Sequence, residues 1–164
     1  MSTKVTVSKS GIHGKGIFAT RDIAKGEIVF IIKGPRMFKV NNGKKDALSH
    51  PDWVGFKMNN WVDPIPPYKY LNHSCNPNCG IKGKVEVVAL KDIKKGDETT
   101  TDYSIIEADQ LWSMKCACGE KNCRKIIKSI QFLPTKQFSR YFPYIPTYFR
   151  TLYLKNHKIK PEYT

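Results

Sequence analysis

The chain has 164 residues, enough for one domain whose core needs no covalent staples. Hydrophobic residues make up 40% and no apolar run reaches the roughly 18 residues of a membrane span, so composition indicates a globular protein without a bilayer-crossing helix. The net charge is +14, from 28 basic and 14 acidic residues; a solubilising surface and an attraction to nucleic acid or acidic partners both fit that balance. Five cysteines, an odd number, follow an N-terminus, "MSTKVTVSKSG", that lacks the apolar core of a signal peptide. Metal ligation or free thiols are therefore expected rather than disulfides, in an intracellular setting, cytoplasmic or nuclear/nucleoid-associated.

The first third reads as short strands. "KVTVS" alternates apolar and polar residues, while "GIFAT" and "EIVFIIKG" are β-branched or aromatic, with "DIAKGE" as a turn between them. Residues 41–69 lose alternation and gain Asn, Pro and Trp, which predicts an irregular insert with a short helix. "KVEVVAL", the turn "KDIKKGD" and the strand "ETTTDYS" follow. "RDIAKGEIVF" and "KDIKKGDETT" echo each other as charged turns with Gly before an acidic residue; common turn chemistry explains the likeness without duplication. From Phe132 onward Phe138, Tyr141, Phe142, Ile145, Tyr148, Phe149 and Leu152 recur at three- and four-residue steps. Pro143 and Pro146 break the stripe into two short helices, laid onto the core by their aromatic face.

Two segments carry chemistry. "CACGEKNC" sets Cys116, Cys118 and Cys123 in a C-x-C-x4-C cluster, three local thiolates for a tetrahedral zinc that wants four. Cys75 and Cys79 are the candidates for the fourth, with His157 a distant third. Closure from afar would pin the C-terminal segment onto the other segment, "YLNHSCNPNC" (residues 70–79), which crowds two cysteines, a histidine and three asparagines around one proline.

"SKSGIHGKGIFATRDIAKGEIV", "NHSCNPN", "KKGDETTTDY" and "CACGEKNC", in this order and spacing, resemble the SET-domain protein lysine methyltransferases with a post-SET zinc motif, most of all their compact microbial members. The resemblance implies a mostly β fold of small curved sheets (a β-clip) with a pseudoknot, and short helices in the insert and tail. It divides the chain into a SET domain at 4–104, a zinc segment at 112–128 and an aromatic helical tail at 129–164. It implies S-adenosylmethionine as methyl donor, held by backbone from His13, Gly14, Lys15 and Gly16 and by Tyr70, Asn72 and His73. It implies one structural zinc on Cys75, Cys116, Cys118 and Cys123, leaving Cys79 as a buried thiol, and Tyr103 as the catalytic tyrosine. Asp102 and Glu98 are read as turn or strand residues. Thr101 departs from the ring the family often carries there and leaves the number of methyl groups undetermined; Ile126, Ile127 or Phe132 is expected to cover the lysine channel. The implied substrate is a protein lysine, on a histone or another DNA-packaging protein. No membrane partner is expected, non-specific nucleic-acid contact is compatible with the charge, and the sequence leaves the oligomeric state open. A non-catalytic SET module that binds chromatin or an acidic partner is the alternative.

Overall fold

A computed structural model of the chain describes residues 4–38, 53–57 and 59–159. Its strands form four small sheets. In the first, β1 (Val5–Lys9), β2 (Lys15–Ala19), β10 (Glu98–Thr101) and β7 (Asn72–His73) lie in that order. β7 runs parallel to β10, with Asn72 opposite Thr100 and His73 opposite Thr101; the other pairings are antiparallel. The second sheet joins β3 (Ile28–Ile31), β9 (Glu86–Ala89) and β8 (Cys79–Lys82). The third joins β4 (Arg36–Phe38), β6 (Asn60–Val62) and β5 (Val54–Lys57), and β11 (Ser113–Lys115) pairs with β12 (Ile126–Lys128).

The two echoing turns pack against each other as a matched pair. Ile23 and Ile93, each 1% exposed, exchange both backbone hydrogen bonds at 2.9 Å. The Lys25 amide donates to Asp92 Oδ1 and the Lys95 amide to Asp22 Oδ1, each at 2.9 Å. Gly26 N–H donates to Ala89 O and Gly96 N–H to Ala19 O, each at 2.8 Å. Both glycines have φ near the left-handed region, 83° and 91°, which a Cβ would disfavour. The β2–turn–β3 and β9–turn–β10 units are thus related by approximate two-fold symmetry, more than the shared turn chemistry that their sequences suggest.

Some boundaries differ from the sequence reading. "ETTTDYS" leaves the strand after Thr101, because the Asp102 carboxylate accepts from Ser104 N at 3.1 Å and caps a 3-10 turn over Tyr103–Ile106. Of the expected irregular insert, residues 41–52 and 58 lie outside the described residues. The remainder is more ordered than its composition implies: β5 and β6 pair with each other, and the short helix is a 3-10 turn at Tyr68–Tyr70.

The tail forms the two expected helices, α1 (Thr135–Tyr141) and α2 (Thr147–Asn156). Phe138, Tyr141, Ile145 and Phe149 are buried in the core; so is Tyr153, which the stripe omitted and which stacks on Phe138 at 3.7 Å. Burying a side chain such as Phe149 is worth roughly 1.5–3 kcal/mol. The α1–α2 loop also completes the second sheet, since Tyr144 O accepts from Ile81 N at 2.7 Å and covers the edge strand β8. Gly80 permits that approach: a Cβ there would lie 2.7 Å from Tyr144 O and 2.6 Å from its Cβ. Gly80→Ala should therefore destabilise the protein by about 1–3 kcal/mol, read as a lower denaturant midpoint with an unchanged slope.

Candidate active site and zinc cluster

The sulfurs of Cys75, Cys116, Cys118 and Cys123 all lie within 4.8 Å of one another. The Cys75 and Cys116 sulfurs are 3.8 Å apart, and a tetrahedral zinc with bonds of about 2.3 Å requires an edge of about 3.8 Å. The set fits zinc. Burial pushes the thiols of Cys75 and Cys116 up, while the Lys125 amide pulls that of Cys123 down to about 7; a bound dication would deprotonate all four. Cys79 is outside the cluster, fully buried and pushed up to about 12 by that burial. His157 is also elsewhere, stacked on Tyr153 at 3.9 Å.

Arg124, next to Cys123, is a residue the sequence reading passed over. Its guanidinium grips Asp102 through two contacts of 2.6 and 2.7 Å, reaches Ser104 Oγ at 3.2 Å, and its Nε donates to Cys75 Sγ at 3.5 Å. Asp102 is fully buried, so it is an anchor rather than a plain turn residue. Two signals were available: an arginine directly after the last ligand, and an acidic residue directly before the tyrosine. His73 sits between the same groups. Tyr103 N–H donates to its Nδ1 at 3.1 Å, which places the imidazole hydrogen on Nε2, 3.3 Å from Cys75 Sγ. Burial holds the ring neutral, pushed down to about 4, with Arg124 reinforcing and Asp102 opposing that shift.

The glycine turn is organised from β7. Asn72 Nδ2 lies 2.7 Å from Glu98 Oε1, 2.9 Å from Lys15 O and 3.3 Å from His13 O. Ser10 Oγ donates to the same Glu98 carboxylate at 2.8 Å. A Cβ on Gly16 would meet Glu98 Oε1 at 2.2 Å, so that glycine makes room for the carboxylate; Gly14 has φ +49° with open space around it, so it serves conformation. Glu98 is thus a buttress of the turn.

These elements enclose a cavity of about 320 Å³, within the usual range for small-molecule sites. His13, Asn72, His73 and Tyr103 line it, as do the ligands Cys116 and Cys118. Gly14, Lys15 and Gly16 form the turn behind His13, and Tyr70 stands outside the lining with its ring 5.4 Å from Lys15 Nζ. Tyr103 donates its phenol hydrogen to Leu71 O at 2.8 Å, and its ring meets His73 edge-on at 5.3 Å. Ile126, Ile127 and Phe132, expected over a lysine channel, do not line this cavity: Ile127 is fully buried, and Ile126 and Phe132 are exposed. Trp53, Tyr68, Trp112 and Met114 do line it, with β11 rather than the segment after Cys123 facing it. Thr101 also lines it, and its hydroxyl is buried with no partner among the described residues.

The SET domain family model matches residues 14–104, more than half the chain and the whole of the glycine turn, β7 and β10. The chain belongs to the SET-domain family. This SET domain is 33% identical over 138 residues to human "Histone-lysine N-methyltransferase 2B", and 33% identical over 138 residues to the "Histone-lysine N-methyltransferase trithorax" of Drosophila melanogaster. Each match covers 75% of the chain, which spans only 5% and 4% of those relatives' length. Its fold is that of KRYPTONITE, solved in complex with mCHG DNA and SAH, with a TM-score of 0.57 and 20% identity over 74% of this chain and 28% of the other.

Arg124→Ala leaves a buried carboxylate without its partner and should cost about 3–5 kcal/mol, measured by chemical denaturation. Purified protein should carry zinc at one ion per chain. Cys75→Ser should lose most of that zinc in metal analysis; retention at full occupancy would exclude Cys75 as a ligand.

Proposed function

We propose that this SET domain transfers a methyl group from S-adenosylmethionine to the side-chain amine of a lysine on a protein, a histone or another nucleic-acid-associated protein. The observation that carries the reading is the position of Tyr103: its hydroxyl sits on the wall of the cavity, oriented by Leu71 O, beside the Asn72–His73 pair and the zinc ligands. The curated relatives are named as histone-lysine methyltransferases, and the structural neighbour solved with SAH also has a form with an H3(1-15) peptide, which supports a histone as acceptor.

S-adenosylmethionine supplies an electrophilic methyl on a sulfonium. In the transfer the N–C bond forms from the lysine lone pair as the S–C bond breaks, so the amine must first shed its proton to solvent. A free lysine has a pKa of about 10.4; desolvation in an apolar channel beside the sulfonium cation lowers it by disfavouring the charged form. Tyr103, having committed its hydrogen to Leu71 O, offers its oxygen as an acceptor that orients the amine. The Asn72 amide spends its donors on the glycine turn and on Glu98, and both His73 nitrogens are engaged within the protein. These two residues therefore shape the donor site through backbone and placement. Cys75, Cys116, Cys118 and Cys123 would hold a zinc whose part is structural, fixing the wall that Cys116 and Cys118 contribute to the cavity. Most of the acceleration is alignment of the two reactants.

The test is transfer of a labelled methyl group from S-adenosylmethionine to core histones, nucleosomes and a total protein extract. Tyr103→Phe should lower the rate by about a hundredfold or more, with zinc content unchanged. Absence of label from a folded, zinc-loaded wild type would favour the non-catalytic binding module.

A further inference from the structure

The charge of the chain is unevenly placed. Between Lys121 and Pro161 there are ten basic residues and no acidic one, while thirteen of the 14 acidic residues precede Lys121. The exposed ion pairs among the described residues use Lys4, Arg21 and Lys94. The one pair made within the basic run is that of Arg124 with buried Asp102. Lys136 and Arg140 on α1, and Lys155 and Lys158 at the end of α2, are exposed and have no carboxylate partner among the described residues.

The outer face of α2 is built as well as charged. Thr147, Arg150, Thr151 and Lys155 recur at the helical step and, over a floor of Phe142, Leu154 and Ile159, line a groove of about 550 Å³ that contains no acidic side chain. The Arg150 guanidinium lies 4.9 Å from the Phe142 ring and donates to Thr147 Oγ1 at 3.1 Å, which fixes its plane before any partner arrives. The guanidinium and ammonium of Arg150 and Lys155, with the Thr147 hydroxyl, are donors suited to phosphates. The opposite face of α2 is packed on the core, with Phe149 and Tyr153 at most 1% exposed.

We infer that this face of α2, with α1 beside it, docks on the phosphate backbone of duplex nucleic acid. The substrate consequence rests on the reading of the chain as a lysine methyltransferase. A protein of charge +14 is repelled by a free basic segment and attracted to the same segment lying on a polyanion. The buried face of α2 packs on β5, where Phe149 Cζ lies 3.2 Å from where a Cβ on Gly55 would be, and Val54 of that strand lines the cavity.

The test is fluorescence anisotropy of the full chain with a labelled duplex of about 20 base pairs, without S-adenosylmethionine, over a salt series. Affinity should fall linearly with the logarithm of salt. The triple variant Arg150→Gln/Lys155→Gln/Lys158→Gln should reduce the slope by about 3, whereas Lys25→Gln/Lys91→Gln/Lys95→Gln, with the same loss of charge at the paired turns, should leave it within about 1. Equal loss in both variants would overturn the assignment, as would equal binding to polyglutamate or to vesicles of acidic phospholipid. Methyl transfer then separates this inference from the one beneath it. The α2 variant should lose the preference for nucleosomes over free histones while keeping its rate on free histones. Duplex binding through α2 without any methyl transfer would overturn the enzymatic reading and leave the docking surface standing; the reverse result would do the opposite.

Discussion

The architecture depends on a carboxylate that has no access to water. Asp102 is fully buried, and a buried charge is tolerated only when paired and hydrogen-bonded. Its partner, Arg124, comes from the zinc segment, 22 residues further on. The same guanidinium donates to Cys75 Sγ, and the same carboxylate caps the turn that carries Tyr103. Three parts of the site, the segment at 72–76, the turn at 103–106 and the cysteine cluster, are thereby fixed to one another. A zinc held by the four cysteines would add a second tie across the same span through Cys75. Neither the cavity wall formed by Cys116 and Cys118 nor the setting of Tyr103 is complete until the C-terminal segment has docked.

Against that constraint, the density of polar residues between Tyr70 and Cys79 has a physical reason. Each one satisfies a backbone or a charge that burial of the segment would otherwise leave unpaired. Asn72 holds the glycine turn, Asn78 accepts from Thr100 N and donates to Glu98 O as a surrogate strand, and Ser74 and Asn76 reach the Glu120 carboxylate. His73 bridges Tyr103 to Cys75.

The distribution of charge follows the same division. Acidic residues concentrate where they are structurally used, at the paired turns (Asp22, Asp92, Glu27) and inside the site (Glu98, Asp102). The tail contributes an aromatic inner face to the core and is left with an unneutralised outer face. Packing and charge are thus read from opposite sides of the same two helices.

The sequence alone determined the mostly β character, the two tail helices with their break at Pro143 and Pro146, and the clustering of three cysteines in the C-terminal segment, because each rests on local periodicity, on proline stereochemistry or on motifs of fixed spacing. It also carried the choice of Cys75 over Cys79, through the family pattern rather than through any local signal. Tertiary structure decided what depends on neighbours distant in the chain. The strands Val54–Lys57 and Asn60–Val62 lack alternation and form because they pair with each other and the second pairs with β4. Arg124 and Glu98 look like surface charges until folding sets them against Asp102 and Gly16. The cavity wall came from Trp112 and Met114 rather than from residues after Cys123, since which side of a hairpin faces a site is fixed by how the hairpin packs. The two echoing turns became a symmetric pair only in three dimensions, where each carboxylate could cap the other turn's backbone.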